Sequence, residues 1–218
     1  MNESRDKQLK IHEIFHSLQG ESNSSGWRTV FVRLTGCPLR CTWCDTEYAF
    51  HGGHWMDYDT IIEEIKKHGT DYVCITGGEP LSQKRVHGLM DRLVEGGFNV
   101  SIETAGALPV RDINPAVTKV VDMKAPGSGE DSKNDYNNLD HLSPKDQVKF
   151  VIADDTDYQW SKNLIDKHQL TQKCTVLMSP VADHMPETEL ADWIIRDQLD
   201  VRFQIQLHKL LWGNKPGT

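Results

Sequence analysis

The sequence predicts an α/β fold, an incomplete TIM-like β/α barrel with parallel strands in a single domain that spans residues 1–218. Two observations predict it. Short apolar segments alternate along the chain with segments whose apolar residues recur at helical spacing, which is typical of a parallel sheet with helices outside. The length of 218 residues is below the about 250 residues of a complete eight-unit barrel. A partial barrel is therefore favoured, with a doubly wound sheet as the alternative fold.

Each element is predicted from its local pattern. In chain order the elements are strands 10–18 and 28–34, helix 60–68, strand 72–76, helix 86–93, strands 99–103, 117–123 and 147–152, helix 160–168, strand 174–178, helix 187–196 and strand 201–206. The strands are short apolar runs, and the helices repeat apolar residues every three or four positions. Asp57 or Asp59 caps the first helix and Gly69 ends it, whereas Gly96 and Gly97 end the second. The polar segment 127–143 is predicted to be a surface loop.

Composition and charge limit the possible functions. Hydrophobic residues make up 38% and charged residues 26% of the chain, as in soluble globular proteins. The formal net charge of −8 disfavours a protein that binds nucleic acid by neutralising phosphates. The first ten residues lack the apolar segment of a secretory signal, and three of the five cysteines are clustered. We therefore expect a cytoplasmic protein that uses its cysteines for metal or redox chemistry rather than for disulfides.

Polar motifs follow four of the predicted strands at the point where each strand ends. They lie at 76–79 (TGGE), 103–104 (ET), 122–124 (DMK) and 206–208 (QLH). In parallel α/β folds, ligands bind at the carboxyl ends of the strands. The sequence therefore predicts one functional site at this edge of the sheet.

Cys37, Cys41 and Cys44 have the spacing C-x3-C-x2-C, and thiolates are soft ligands that suit zinc or iron–sulfur centres. A structural zinc site requires a fourth ligand, for which the nearest candidates are Asp45, His51 and His54. A 4Fe–4S cluster held by three thiolates would instead leave one iron free to bind another group.

The spacing C-x3-C-x2-C, read as three ligands of a 4Fe–4S cluster, resembles the pattern of the radical S-adenosylmethionine superfamily. In that superfamily the open iron binds the amino and carboxylate groups of S-adenosylmethionine, and one electron from the reduced cluster generates a 5′-deoxyadenosyl radical. The resemblance implies that Trp43 lies near the adenine and that Asp45 also faces the cofactor. It further implies that the turn after the 72–76 strand binds the methionine ammonium. The residues implied at that turn and at the end of the 117–123 strand are Gly77, Gly78, Glu79, Asp122 and Lys124.

Further motifs resemble the 7-carboxy-7-deazaguanine synthase family, over roughly residues 10 to 212. They are 14–21 (IFHSLQGE), 32–37 (VRLTGC), 44–46 (CDT), 103–106 (ETAG) and 206–209 (QLHK). The resemblance implies a lyase that converts 6-carboxy-5,6,7,8-tetrahydropterin to 7-carboxy-7-deazaguanine and ammonia by radical ring contraction, in queuosine biosynthesis. It also implies a homodimer and a flavodoxin-like or other one-electron donor.

The same resemblance implies which residues bind the substrate. Glu21, with the backbone of Leu18, Gln19 and Gly20, suits the donors and acceptors of the pterin edge, and Arg33 suits the substrate carboxylate. The remaining implied residues are Thr46 as the protein ligand of Mg2+, and Thr76 and His208 in the substrate pocket. The chain departs from the family pattern at Ser22, at Ala105 and over residues 212–218.

Three alternatives belong to other classes. Residues 12–16 (HEIFH) match the HExxH pattern of zinc proteases, which requires both histidines on one helical face. A glycyl-radical-enzyme activase shares the cysteine spacing but acts on a protein glycine. A non-catalytic zinc module would bind one zinc and no iron.

Overall fold

A single nine-stranded sheet organises the computed structural model, which describes residues 7–218. The strands are β1 (Gln8–Leu18), β2 (Arg28–Leu34), β3 (His54–Asp57), β4 (Tyr72–Gly77), β5 (Asn99–Thr104), β6 (Thr118–Asp122), β7 (Gln147–Ile152), β8 (Thr175–Pro180) and β9 (Arg202–Phe203). Their order is β3-β1-β2-β4-β5-β6-β7-β8-β9, so β3 and β9 are the edges of an open sheet. The predicted α/β fold with an incomplete barrel is confirmed.

In the order β2-β4-β5-β6-β7-β8-β9, each strand pairs in parallel with the next. β3 is not part of this parallel series and lies on the other side of β1. β1 is antiparallel to both β2 and β3, so the prediction of parallel strands is wrong at this end of the sheet. The reason is the short connection between β1 and β2, residues 19–27, which reverses the chain without a crossover helix.

Six helices are described: α1 (Tyr58–Lys66), α2 (Val86–Glu95), α3 (Asp155–His168), α4 (Leu170–Lys173), α5 (Glu187–Arg196) and α6 (Leu207–Trp212). Asp57 caps α1 by accepting a hydrogen bond from Thr60 N at 2.9 Å, so of the two candidate caps the structure selects Asp57. Apolar faces of α1 and α2 pack on the sheet through Ile61, Ile65 and Leu89, which are fully buried. No helix within residues 7–218 is both long and apolar enough to cross a lipid bilayer.

Three of these strands and helices were not predicted, namely β3, α4 and α6, and one strand was predicted too long. The edge strand β3 has four residues, half of them exposed, and pairs only with the start of β1. The strand predicted at 201–206 is reduced to Arg202–Phe203, and the chain then forms α6. His12 and His16 lie on β1 rather than on a helix, which contradicts the zinc-protease alternative.

The polar segment 127–143 contains short 3-10 helices rather than an irregular loop alone. Ser128, Asn138 and Leu139 are buried in it. Asn138 accepts a hydrogen bond from Val110 N and donates to the carbonyl oxygens of Gly106 and Leu108. These buried contacts attach the segment to the strand ends where the cavity lies.

Candidate active site

A cavity of about 640 Å3 opens at the carboxyl ends of the strands. Most of the residues that the sequence proposes for a site line this one cavity. They are Leu18, Gln19, Gly20, Glu21, Arg33, Cys37, Cys41, Trp43, Cys44, Asp45, Thr46, Thr76, Gly77, Gly78, Asp122, Lys124 and His208. The parallel register explains the convergence, because successive strand ends are brought to one edge of the sheet.

Three free thiols lie in the loop that follows β2, and each is partly buried. Burial raises the pKa of the Cys37, Cys41 and Cys44 thiols, and nearby carboxylates raise the pKa of each thiol further. A thiol must lose its proton to bind a metal. The loop therefore holds three soft ligands, and a bound metal ion would favour their deprotonated form.

The loop is held in place by two hydrogen bonds at its start. Gly36 N donates to Ala49 O at 2.9 Å, and Glu79 N donates to Gly36 O at 2.8 Å. A Cβ atom built on Gly78 would lie 2.2 Å from Gly36 O and 2.8 Å from Cys37 Cβ. The turn after β4 and the cysteine loop therefore lie too close together for a side chain at Gly78.

The 3-10 helix Pro126–Ser128 and the residues after it pack on the middle of the cysteine loop. Thr42 N donates to Ser128 O at 3.1 Å, and Thr42 Oγ1 donates to Gly127 O at 2.9 Å. Asp157 on α3 accepts from Gly127 N at 2.7 Å. These bonds fix the loop beside Trp43, whose ring lies next to Gly127.

The candidate ligands for a single zinc ion do not converge. Within residues 7–218, no three His, Cys, Asp or Glu side chains form a group that could hold one metal ion. His51 and His54 are exposed and lie outside the cavity lining. Asp45, the third candidate, is paired with Lys209 at 3.1 Å. The arrangement therefore offers three thiols in one loop without the fourth protein ligand that a structural zinc site needs.

Glu79 is fully buried and does not line the cavity, although its partners Thr104 and Ala105 do. Its carboxylate accepts hydrogen bonds from Thr104 Oγ1 at 2.9 Å, Ala105 N at 2.7 Å and Leu81 N at 2.9 Å. Burial raises the pKa of Glu79, and these donors act in the opposite direction. In this structure Glu79 joins the end of β4 to the end of β5, and the surfaces open to a ligand at this turn belong to Gly77 and Gly78.

A chain of opposite charges crosses the cavity floor. Lys149 Nζ lies 2.6 Å from Glu21 Oε2 and 3.6 Å from Asp122 Oδ2, and Lys124 Nζ lies 2.9 Å from the same Asp122 oxygen. Burial raises the pKa of Glu21, but Lys149 and a hydrogen bond from Gln206 bring that pKa below its ordinary value. Burial raises the pKa of Asp122 as well, but Lys124 and Lys149 bring it below its ordinary value. Both carboxylates are therefore ionised at neutral pH.

Sequence reasoning did not single out Lys149, and it placed Glu103 at the functional edge without a role of its own. Lys149 is the one charged residue of the largely apolar, buried strand β7, and that was the available signal. Glu103 accepts a hydrogen bond from Gln19 Nε2 at 3.1 Å, and burial together with the Glu21 charge raises its pKa. Gln206 Nε2 donates to Glu21 Oε1 at 2.7 Å, so the end of the chain also holds this carboxylate.

Arg33 is held by Glu13, a residue that the sequence analysis did not assign to the site. Arg33 Nε donates to Glu13 Oε1 at 2.7 Å, and Tyr48 Oη donates to the same oxygen at 2.9 Å. The guanidinium carbon lies 5.4 Å from the ring centre of Phe15. The cation is therefore paired within the chain, and an anionic ligand would share or replace Glu13 as its partner.

Asp45 and Thr46 form the opposite wall together with α6. Thr46 Oγ1 donates to Asp45 Oδ1 at 2.6 Å. Burial raises the pKa of Asp45, but Lys209 and Thr46 outweigh it and hold that pKa well below its ordinary value. His208 packs on Gly20, where an added Cβ would lie 2.1 Å from His208 Nδ1.

Comparisons with known proteins show the family and the fold. The family model described as the radical SAM superfamily matches residues 31–123. The 7-carboxy-7-deazaguanine synthase of Koribacter versatilis is 44% identical to this chain. The alignment covers 94% of this chain and 97% of that enzyme. The enzyme of that name from Chlorobaculum tepidum is 40% identical, and the alignment covers 96% of this chain and 97% of that enzyme. The crystal structure of QueE from Escherichia coli shares the fold, with a TM-score of 0.77 at 24% identity, and covers 95% of this chain and 100% of that one.

Proposed function

This chain belongs to the 7-carboxy-7-deazaguanine synthase family of radical S-adenosylmethionine enzymes, and from that membership we propose that it converts 6-carboxy-5,6,7,8-tetrahydropterin to 7-carboxy-7-deazaguanine and ammonia. The reaction makes the chain a carbon–nitrogen lyase of queuosine biosynthesis. The observation that supports it is the convergence of three free thiols with buried carboxylates, ammonium groups and a guanidinium in one cavity. The relatives do not favour a glycyl-radical-enzyme activase or a zinc module.

We propose that Cys37, Cys41 and Cys44 hold the 4Fe–4S cluster, because three soft ligands without a fourth leave one iron for S-adenosylmethionine. A cluster bound there would supply the single electron that the radical chemistry of this cofactor needs. Trp43 stacks beside the adenine, and the carbonyl oxygens of Gly77 and Gly78 accept from the methionine ammonium.

Asp122 supplies the next contact to the cofactor in this proposal. Its Oδ1 atom is buried and accepts no hydrogen bond from the described residues, although Oδ2 is paired with two lysines. A buried acceptor without a donor costs free energy, so a ligand hydroxyl is its natural partner. Lys124 orients Asp122, and Asp45 binds on the opposite wall. Glu79 acts through its bonds to Thr104 and Ala105, which fix the turn that carries Gly77 and Gly78.

The substrate occupies the other half of the cavity. Glu21 is held ionised and accepts from the N–H groups of the pterin edge, with the backbone of Leu18, Gln19 and Gly20 beside it. Arg33 binds the substrate carboxylate, and Thr76 and His208 close the pocket. Thr46 Oγ1 uses its proton on Asp45, which leaves its lone pairs for Mg2+, an ion that prefers oxygen ligands.

Anaerobic turnover tests this function. Cluster-loaded protein with S-adenosylmethionine, Mg2+, a chemical reductant and the carboxypterin should form the deazaguanine product and release ammonia in equal amount. Iron and sulfide should each approach about four per chain, as a 4Fe–4S cluster requires. Cluster-loaded protein that leaves the carboxypterin unchanged, or one zinc without iron, would contradict the proposal.

Replacing Arg33 by lysine should raise the KM for the carboxypterin about tenfold with a smaller change in kcat. An ammonium is a point charge and cannot pair with both carboxylate oxygens as a guanidinium does. Steady-state kinetics measure the effect. Arg28→Lys is the control, because Arg28 lies on the same strand, is exposed and is outside the cavity. Equal KM values in the two variants would exclude Arg33 from carboxylate binding.

A homodimer in the cytoplasm, reduced by a flavodoxin-like or other one-electron donor, completes the proposal. The clustering of three of the five cysteines in one loop supports a reducing compartment, because metal-binding thiols are kept reduced there.

A further inference from the structure

Lys149 lies between the two halves of the cavity and touches a carboxylate on each side. It is on β7, directly opposite Asp122 in the register of β6 and β7. Its ammonium is 2.6 Å from Glu21 Oε2 and 3.6 Å from Asp122 Oδ2, and its side chain is 11% exposed. Because Glu21 comes from the loop after β1, one side chain links two segments that are far apart in the sequence.

The charges around Lys149 require it to remain an ammonium. Burial lowers its pKa, but the carboxylates of Glu21, Asp122 and Glu103 raise that pKa above its ordinary value. Lys124 is the other ammonium beside Asp122, whereas Glu21 receives its charged hydrogen bond from Lys149 alone among the described residues. Lys149 therefore sets the position of Glu21 and shares Asp122 with Lys124.

We propose that Lys149 is a positioning residue that couples the two ligands, because its ammonium fixes Glu21 in the substrate half and Asp122 in the S-adenosylmethionine half at the same time. The inference rests on the proposed function, which places one ligand in each half. A ligand that engages Glu21 shifts the ammonium relative to Asp122, and so changes the affinity for the second ligand. Such coupling is reciprocal.

A second buried lysine provides a matched control. Lys119 lies on the neighbouring strand β6 and pairs with the buried Asp146 at 2.9 Å, with 7% of its side chain exposed. This pair is near the amino end of the strand and does not line the cavity. Replacing either lysine removes a buried ion pair, but only Lys149 contacts residues assigned to ligands.

Calorimetry on cluster-loaded protein without reductant measures the coupling, since no turnover occurs. The affinity for S-adenosylmethionine is determined with and without saturating carboxypterin in the wild type, Lys149→Met and Lys119→Met. We expect the wild type and Lys119→Met to show coupling of about fivefold or more, within the usual range. Lys149→Met should bind the carboxypterin about tenfold more weakly, as loss of a charged hydrogen bond implies, and show no coupling.

Coupling and affinities in Lys149→Met equal to those of Lys119→Met would overturn the inference and leave Lys149 with a structural role. A wild type that binds S-adenosylmethionine but not the carboxypterin would instead contradict the proposed function.

A second pair of variants applies if Lys149→Met does not fold. Glu21→Gln together with Lys149→Met leaves no unpaired carboxylate at Glu21, while Asp122 keeps Lys124. We expect this double variant to bind S-adenosylmethionine about fivefold more weakly than Glu21→Gln alone, because Asp122 has lost one of two cations. Equal affinities would show that Lys149 does not act on the cofactor half.

Discussion

Replacing Cys41 by alanine is expected to abolish product formation while the protein remains folded. Cys41 is the middle of the three thiols, partly buried at the cavity floor. The two remaining thiolates cannot hold a cluster that needs three ligands. Without the cluster, no electron is available to reduce S-adenosylmethionine. The measurements are iron and sulfide per chain, the visible absorbance of the cluster and product yield, all under anaerobic conditions.

Cys174→Ala is the matched control for this experiment. Cys174 is also a free thiol, but it is buried in the hydrophobic core just before β8 and lies outside the cavity. Its removal leaves only a small cavity, with a cost of about 1 kcal/mol in the free energy of unfolding. Wild-type iron content and product yield in Cys41→Ala would remove Cys41 from the cluster and with it the assignment of the three-thiol loop.

The sequence was sufficient for elements whose local pattern and burial agree. β2 and β7 have the bounds that their apolar runs predicted, because strands buried on both faces are largely apolar, and α5 has the bounds that its helical spacing predicted. β3 carries no such pattern, since its four residues pair only with β1 and half of them face solvent. Its existence depends on a partner strand that residues 54–57 do not reveal.

In the candidate site, too, features with a local sequence pattern were predicted and features that depend on distant segments were not. Residues within short motifs could be placed in one cavity, because parallel strands bring their carboxyl ends together. Partners from distant segments could not be predicted: Glu13 pairs with Arg33, and Lys149 joins Glu21 to Asp122. The direction of a side chain also escapes a motif. Glu79 was placed at the cofactor turn by its motif, which did not reveal that its carboxylate accepts hydrogen bonds from Thr104 and Ala105.

The close approach at Gly78 yields the second large effect. Gly78→Ala should leave the protein folded but with little iron and with product formation reduced at least about a hundredfold, equivalent to about 2.7 kcal/mol. The new Cβ would lie 2.2 Å from Gly36 O and 2.6 Å from Gly36 C, distances that real Cβ atoms do not show. Backbone strain is not the cause, since Gly78 is not among the glycines with positive φ.

The clash must be relieved by movement of the cysteine loop, because the two nearest atoms are backbone atoms of Gly36 and the third, Cys37 Cβ, is fixed to the backbone. Gly36 O accepts from Glu79 N, so moving Gly36 also breaks the bond that joins this loop to the turn after β4. Overpacking of this kind costs about 1–3 kcal/mol in stability, which thermal unfolding of the cluster-free protein measures. Cys37 would be displaced with Gly36, and cluster loading, measured as iron and sulfide per chain, should fall.

Gly96→Ala separates this effect from the general cost of a methyl group. Gly96 ends α2 with φ −74°, and its added Cβ would come no closer than 3.2 Å to Arg92 O. We expect that variant to load iron and form product as the wild type does. Equal iron loading in Gly78→Ala and Gly96→Ala would contradict this prediction. It would mean that the cysteine loop can move to accept the new methyl group, and that the contact at Gly36 does not position Cys37.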